Sequence, residues 1–306
     1  MSIATQPQRL VVTLSTIPSR IGKIGPVLDS LKAQSRKPDR IYVCICNFCE
    51  WEQKTYDVPK RLQEDESIRV VVSPIDYGPA NKLLGMLHEE SAPNTRIVTV
   101  DDDWLYNRDL LERLEDGGDR YPGSAVGLSG ATLLPKWSRI DVRIGHDIET
   151  AAPTRRALTF VAEPSEDVCV DILQFGFGAM LLREWFDDDI YEMIQPEQPL
   201  FFSDDILFSG FLESRGVKRM CVSGISLPQL LDHSQLRPLS GEGRMTRNYK
   251  VAIPTISDML GIWHHGAAKF DLRNMPTLSD LRYSFFAMVR KIYRILQRAL
   301  SSITWH

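Results

Sequence analysis

The sequence predicts an α/β protein with a mostly parallel central sheet flanked by helices and a C-terminal helical tail. Three observations predict it. From residue 9 onward, apolar and β-branched runs alternate with stretches of helical spacing, the pattern of β-α-β units with parallel strands. One run, Ile97-Val98-Thr99-Val100, leads straight into Asp101-Asp102-Asp103, and the carboxyl end of a buried strand is where such sheets gather ligand-binding groups. After residue 278 the pattern changes to a single basic amphipathic segment. Residues 1–255 are therefore expected to form the α/β domain and 256–306 a helical extension.

In chain order, residues 9–14 read as a buried strand and Ser15–Arg20 as a loop. Ile21 to Gln34 has helical spacing, with Ile24, Val27, Leu28 and Leu31 on one side. Ile41 to Ile45 is the second strand, completing a right-handed crossover. Trp51 to Glu66 is polar and irregular. Ile68 to Val72 is the third strand, Asn81 to Glu90 a helix, and 97–100 the fourth strand. A short helix at 110–114 and a strand at 125–132 follow. Residues 135–157 read as a long loop or flap, and 159–173 as strand-like. Phe175 to Leu182 is a glycine-containing turn entering a strand. Ile206 to Arg215 is a helix with Ser203 or Asp204 suited to cap it, and Gly216 suits its stop. Lys218 to Gly224 is a further strand. Residues 228–250 read as a polar, basic loop, and 278–300 as the tail helix.

Composition narrows the function classes. The 306 residues are 43% hydrophobic and 25% charged, ordinary for a globular protein. A net charge of −4 argues against a general nucleic-acid binder. No run of about eighteen apolar residues predicts a spanning helix, and Met1–Gln8 lacks the pattern of a signal peptide. The expectation is a cytoplasmic protein. The tail helix carries Arg282, Arg290, Lys291, Arg294 and Arg298, leaving residues 1–281 at −9, with 31 basic against 40 acidic residues. That asymmetry suits peripheral contact with an anionic membrane surface; packing on its own domain or on a partner explains the helix equally. The five cysteines, Cys44, Cys46, Cys49, Cys169 and Cys221, form no finger-like pattern and read as free thiols in a reducing compartment.

Three adjacent carboxylates cannot be buried unpaired, so Asp101–Asp103 either form a solvated acidic turn or hold a cation. Oxygen-only ligands favour Mg²⁺ or Mn²⁺, with Ca²⁺ the cation expected of a non-catalytic binding module.

Four motifs in order carry a resemblance: a first strand with its Thr16-Ile17-Pro18-Ser19-Arg20 loop, the strand ending in Asp101-Asp102-Asp103, the Gly178-Ala179 turn followed by Leu181-Leu182-Arg183-Glu184-Trp185-Phe186, and Ser203-Asp204-Asp205 before a helix ending in Arg215-Gly216-Val217-Lys218. Residues 9–235 thereby resemble GT-A-fold glycosyltransferases, most closely the family-2-like inverting enzymes. The resemblance implies a nucleotide-diphosphate sugar as donor, a hydroxyl of a saccharide or glycolipid as acceptor, and a place in surface polysaccharide or glycan synthesis. It makes Asp101–Asp103 the Asp-x-Asp motif. Asp103 would bind the metal, and Asp101 or Asp102 would reach the ribose or a metal-bound water, with Asp101 a second metal candidate. A hard cation would let an acidic protein hold a diphosphate.

The same resemblance makes Asp205 the general base, with Asp204 beside it; capping of the following helix is the alternative for both. Thr13, Ser15, Ile17 and Arg20 fall where this fold binds base and ribose, and Arg20 could pair with a phosphate or be an ordinary surface residue. Asp76 could accept from a base imide and Lys82 could approach the diphosphate, or Asp76–Ala80 could be a plain turn. Gly178, with Gly176 and Ala179, would shape the sugar pocket or simply turn the chain. His233 would complete the metal shell, with Arg237, Arg244, Arg247 and Lys250 closing over the diphosphate. The competing classes are a sugar-nucleotidyltransferase and a non-catalytic cation- or carbohydrate-binding module. Residues 15–20 lack the glycine-rich phosphate loop expected of the former.

Overall fold

A computed structural model describes residues 8–133, 158–194, 200–231 and 244–263. The expected 135–157 loop, His233, Arg237 and the 278–300 helix lie outside the described residues.

An eight-stranded sheet organises the chain. Its strands are β1 (Leu10–Ser15), β2 (Arg40–Cys46), β3 (Ile68–Ser73), β4 (Arg96–Thr99), β5 (Ser124–Gly127), β6 (Val168–Val170), β7 (Ala179–Leu182) and β8 (Lys218–Cys221). Their spatial order is β3-β2-β1-β4-β7-β5-β8-β6. β1 pairs in parallel with β2 and β4, β2 with β3, and β5 with β8. β7 runs antiparallel to both β4 and β5, and β6 antiparallel to β8. The protein is thus mixed α/β with a large, mostly parallel sheet. β1 is central and its first five residues are buried, which accounts for its unbroken apolar run.

Helix α1 (Gly25–Lys32) turns Val27, Leu28 and Leu31 inward. It is shorter than the helical spacing implies, because residues 20–23 form turns, with Lys23 N–H bonded to Arg20 C=O at 2.7 Å. The irregular 51–66 stretch contains one helical turn, Lys60–Glu64, anchored by buried Leu62. The helix expected over 81–90 is only Asn81–Leu84, with 3₁₀ turns at Gly78–Ala80 and Leu87–Glu89. The chain breaks so that buried Glu90 can meet Tyr42 Oη at 2.6 Å and Arg9 Nη2 at 2.6 Å. Helix α2 (Leu110–Arg120) runs six residues beyond its expected end. It passes through Gly117 and Gly118, whose missing side chains admit Val222 and Met180.

The single strand expected over 125–132 is two. After β5 the chain leaves the main sheet, and Ser129–Leu133 joins Leu158–Ala162 and Ile172–Leu173 in a three-stranded antiparallel sheet. Helix α3 (Asp204–Ser214) ends as predicted at Gly216, whose φ is +71°. Within the basic loop expected over 228–250, Gln229–Leu230 form a short strand and helix α4 (Arg244–Leu260) begins; residues 232–243 lie outside the described residues. Buried Ala252, Ile253 and Ile256 give α4 an apolar stripe, and Ile256 fills the space above Gly210 of α3. Position 255 falls inside α4, so the chain does not change element there. No helix among the described residues is long and apolar enough to cross a membrane.

Candidate active site

Parallel strands end at one edge of a sheet, so the chain following β1, β2, β3 and β4 emerges on one side. Beyond β4, Val100 N–H still bonds Thr13 C=O at 3.0 Å, and the three aspartates follow. Their surroundings differ sharply. The Asp102 side chain is 6% exposed, Asp103 21% and Asp101 39%.

Asp102 points into the protein. Thr16 Oγ1 donates to its Oδ2 at 2.5 Å and Arg20 Nη1 to its Oδ1 at 2.6 Å. Burial raises its pKa, while Arg20 and Thr16 oppose the rise. Arg20 also lies 3.4 Å from Asp103 Oδ2. It is therefore not a surface arginine: its side chain is 3% exposed and fastens the loop after β1 to the acidic strand end.

Asp101 turns the other way, toward Lys82. The buried Lys82 ammonium contacts the Asp101 carboxylate and lies 2.8 Å from Asp204 Oδ2. Burial opposes its charge, but the two carboxylates more than offset this and hold Lys82 above the usual lysine range. The backbone of Asp101 is set by Tyr106, whose hydroxyl accepts from Asp101 N–H at 2.8 Å and donates to Gly176 C=O at 2.7 Å. Asp101 N–H also lies 3.1 Å from that carbonyl. A Cβ on Gly176 would sit 2.0 Å from Asp101 Oδ2, so the residue must be glycine for the carboxylate to stand where it does.

Asp204 and Asp205 open α3, where a helix N-terminus favours negative charge. The N-cap residue, Ser203, makes no side-chain capping hydrogen bond. Asp205 Oδ1 instead accepts from Phe175 N–H at 2.8 Å, tying α3 to the loop before β7. The rings of Phe175 and Phe208, 5.2 Å apart and edge-to-face, lock the same junction.

The other predicted residues divide into supports and rim. Thr13 is wholly buried, with its hydroxyl bonded to Lys82 C=O; it holds the lysine's backbone from beneath. Ser15 Oγ reaches Pro79 C=O at 3.3 Å, and Ile17 is half-buried. Asp76 spends both oxygens on backbone, accepting from Gly78 N–H and Glu50 N–H at 2.8 Å each. Gly178 has φ +116° and packs on Leu110, which accounts for glycine there by conformation. Thr16 and Tyr106 were not singled out as site residues from sequence, whereas Gly176 was, as part of the turn beside Gly178. The only signal for Tyr106 was its place two residues after Trp104, in a segment that had to return to the core.

Among the described residues the acidic cluster is under-neutralised: Asp101, Asp102, Asp103 and Asp204 meet the cations Lys82 and Arg20, four formal negative charges against two positive. Asp103 registers the imbalance: burial, then Asp101 and Asp102, push its pKa up to about 7. Among the described residues no three His, Cys, Asp or Glu side chains form a ready-made metal cage. Asp101 and Asp103, the two with solvent access, suit a hard cation that takes one or two protein carboxylates and completes its shell with water and phosphate. Leu231, the last described residue before His233, donates its N–H to Asp103 C=O at 2.9 Å.

Searched by sequence, the chain matches no family model and no curated protein. Among solved structures it is similar to S. aureus TarS 1–349, with 13% identity, 87% of this chain and 76% of that chain covered, and a TM-score of 0.46. A likeness of that degree assigns no role to any residue, and the chemistry of the site rests on its own geometry.

Proposed function

We propose that the chain is a GT-A-fold, metal-dependent, inverting glycosyltransferase, moving a sugar from a nucleotide-diphosphate donor to a hydroxyl of a saccharide or glycolipid. The observation that carries this reading is the meeting of two acidic groups at one sheet edge. One follows β4 and is short of positive charge; the other opens α3; Lys82 joins them.

In this reading Asp101 and Asp103 would hold Mn²⁺ or Mg²⁺, with His233, which lies outside the described residues, as a further ligand. The cation, when bound, neutralises the donor diphosphate and stabilises it as a leaving group. Asp102 takes no ligand; it orients Arg20 and the 16–20 loop, which forms one wall of the nucleotide site. Lys82 keeps Asp101 and Asp204 in place. Asp205, held by Phe175 N–H at the first turn of α3, is the carboxylate that takes a proton from the acceptor hydroxyl as that oxygen attacks the anomeric carbon. Attack from the face opposite the departing diphosphate inverts the anomeric centre.

The test is incubation with UDP-, GDP- and dTDP-sugars and Mn²⁺, following nucleoside diphosphate release with and without saccharide. Release that needs Mn²⁺ and falls at least ~100-fold in Asp205→Asn, with donor affinity retained, is expected. Pyrophosphate as the product, or full transfer by Asp205→Asn, overturns the reading.

A further inference from the structure

Seven large apolar side chains are exposed among the described residues: Phe48, Trp51, Val72, Ile75, Phe202, Val251 and Met259. Four of them, Phe48, Trp51, Ile75 and Phe202, are not scattered. Phe48 and Trp51 follow the carboxyl end of β2, Ile75 follows that of β3, and Phe202 lies two residues before Asp204. These segments are bonded together. Asn47 N–H meets Ser73 C=O at 2.9 Å, and Asp76 bridges Glu50 N–H and Gly78 N–H. A Cβ on Gly78 would lie 2.8 Å from Phe201 C=O and 3.0 Å from its ring, so Phe201 rests on that glycine. Trp51 and Phe202 meet edge-to-face with centroids 5.2 Å apart, and Phe202 meets Phe201 likewise at 4.7 Å.

We infer that Trp51 and Phe202 form a saccharide-binding platform for the acceptor chain, an inference that rests on the glycosyl-transfer reading of the acid pair. Three features select this occupant. The platform is continuous with Asp204 and Asp205: Phe202 lies two and three residues before them, at most ~7 and ~10 Å along the chain, the scale of one to two sugar rings. Aromatic faces offer a rigid apolar surface to the C–H face of a pyranose. Glu50, exposed in the same loop as Trp51, supplies a hydrogen-bond acceptor for ring hydroxyls.

Cellohexaose, maltohexaose, laminarihexaose and chitohexaose serve as probes, each titrated into the full chain by calorimetry, with UDP and Mn²⁺ titrated separately. Wild type is expected to bind at least one hexasaccharide. Trp51→Ala and Phe202→Ala are expected to weaken that binding at least about tenfold while UDP affinity stays within about twofold. Trp51→Phe, which keeps a ring, restores most of it, and Val72→Ser, an exposed apolar residue on edge strand β3, serves as the unaffected control. Any of three results overturns the platform: no hexasaccharide binding by a wild type that still turns over nucleotide sugar; loss of UDP affinity in Trp51→Ala in place of saccharide affinity; or a dimer in sedimentation that Trp51→Ala converts to monomer. Saccharide binding that depends on Trp51 in a protein releasing no diphosphate from any nucleotide sugar would keep the platform and sink the transferase reading instead.

Discussion

Lys82 Nζ lies 2.8 Å from Asp204 Oδ2 and also contacts the Asp101 carboxylate, so a single buried ammonium joins the acidic end of β4 to the first turn of α3. Lys82→Met would leave two carboxylates facing each other without their shared counter-charge. Removing one partner of a buried ionic group costs about 3–5 kcal/mol, and urea unfolding should read a loss of that order. Mn²⁺ should raise the melting temperature of Lys82→Met more than that of wild type, because the cation replaces part of the missing charge. Equal shifts would mean that the cation does not sit beside Asp101.

Asp103 gives the site a pH dependence of defined sign. Its pKa is pushed up to about 7, and the cation needs the carboxylate. Affinity for Mn²⁺ should therefore rise about tenfold between pH 6 and pH 8, read by calorimetry or by the spectrum of free Mn²⁺. Asp103→Asn should flatten that profile. Stability runs the other way: between about pH 4 and pH 7 the folded chain keeps a proton that the unfolded chain has released, so this group's contribution falls as pH rises. Asp103→Asn should thus melt a few degrees higher than wild type at pH 8, with little difference at pH 4.

Asp101 and Asp102 are neighbours with opposite duties. Asp102→Ala strips the acceptor from buried Arg20 and Thr16 and should cost about 3–5 kcal/mol. Asp101→Ala, at a partly solvated position, should cost about 1 kcal/mol yet lower diphosphate release at least ~100-fold. The paired readout is chemical denaturation beside turnover. Equal destabilisation by the two variants would contradict the division.

Gly176 and Gly178 separate geometry from strain. Alanine at Gly176 would place a Cβ 2.0 Å from Asp101 Oδ2, so the carboxylate must move. A displacement of that kind near reacting groups costs on the order of 100-fold in rate, with little change in melting temperature. Alanine at Gly178 must adopt φ +116° and should cost about 1–3 kcal/mol of stability. Melting curves and turnover on the two variants distinguish them.

Strands β1, β2 and β4 were legible because a strand buried on both faces needs an unbroken apolar run, and half-exposed β3 by its β-branched residues. The insertion of antiparallel β7 between β4 and β5 was not, since it depends on pairing between residues some eighty positions apart. The 125–132 run read as one strand because both halves are apolar; nothing local marks the turn out of one sheet into another. The same limit governs the site. Adjacent aspartates are chemically identical in sequence, and only the fold makes Asp102 an anchor for Arg20 and leaves Asp101 and Asp103 open. Lys82 was legible as a cation near the diphosphate, while its bond to Asp204 spans 122 positions.

The small antiparallel sheet has its own consequence. Leu133 and Leu158 are register partners across adjacent strands, so the two described residues that flank 134–157 are held one strand spacing apart, about 5 Å, by a pairing that runs back to Ser129 and Ala162.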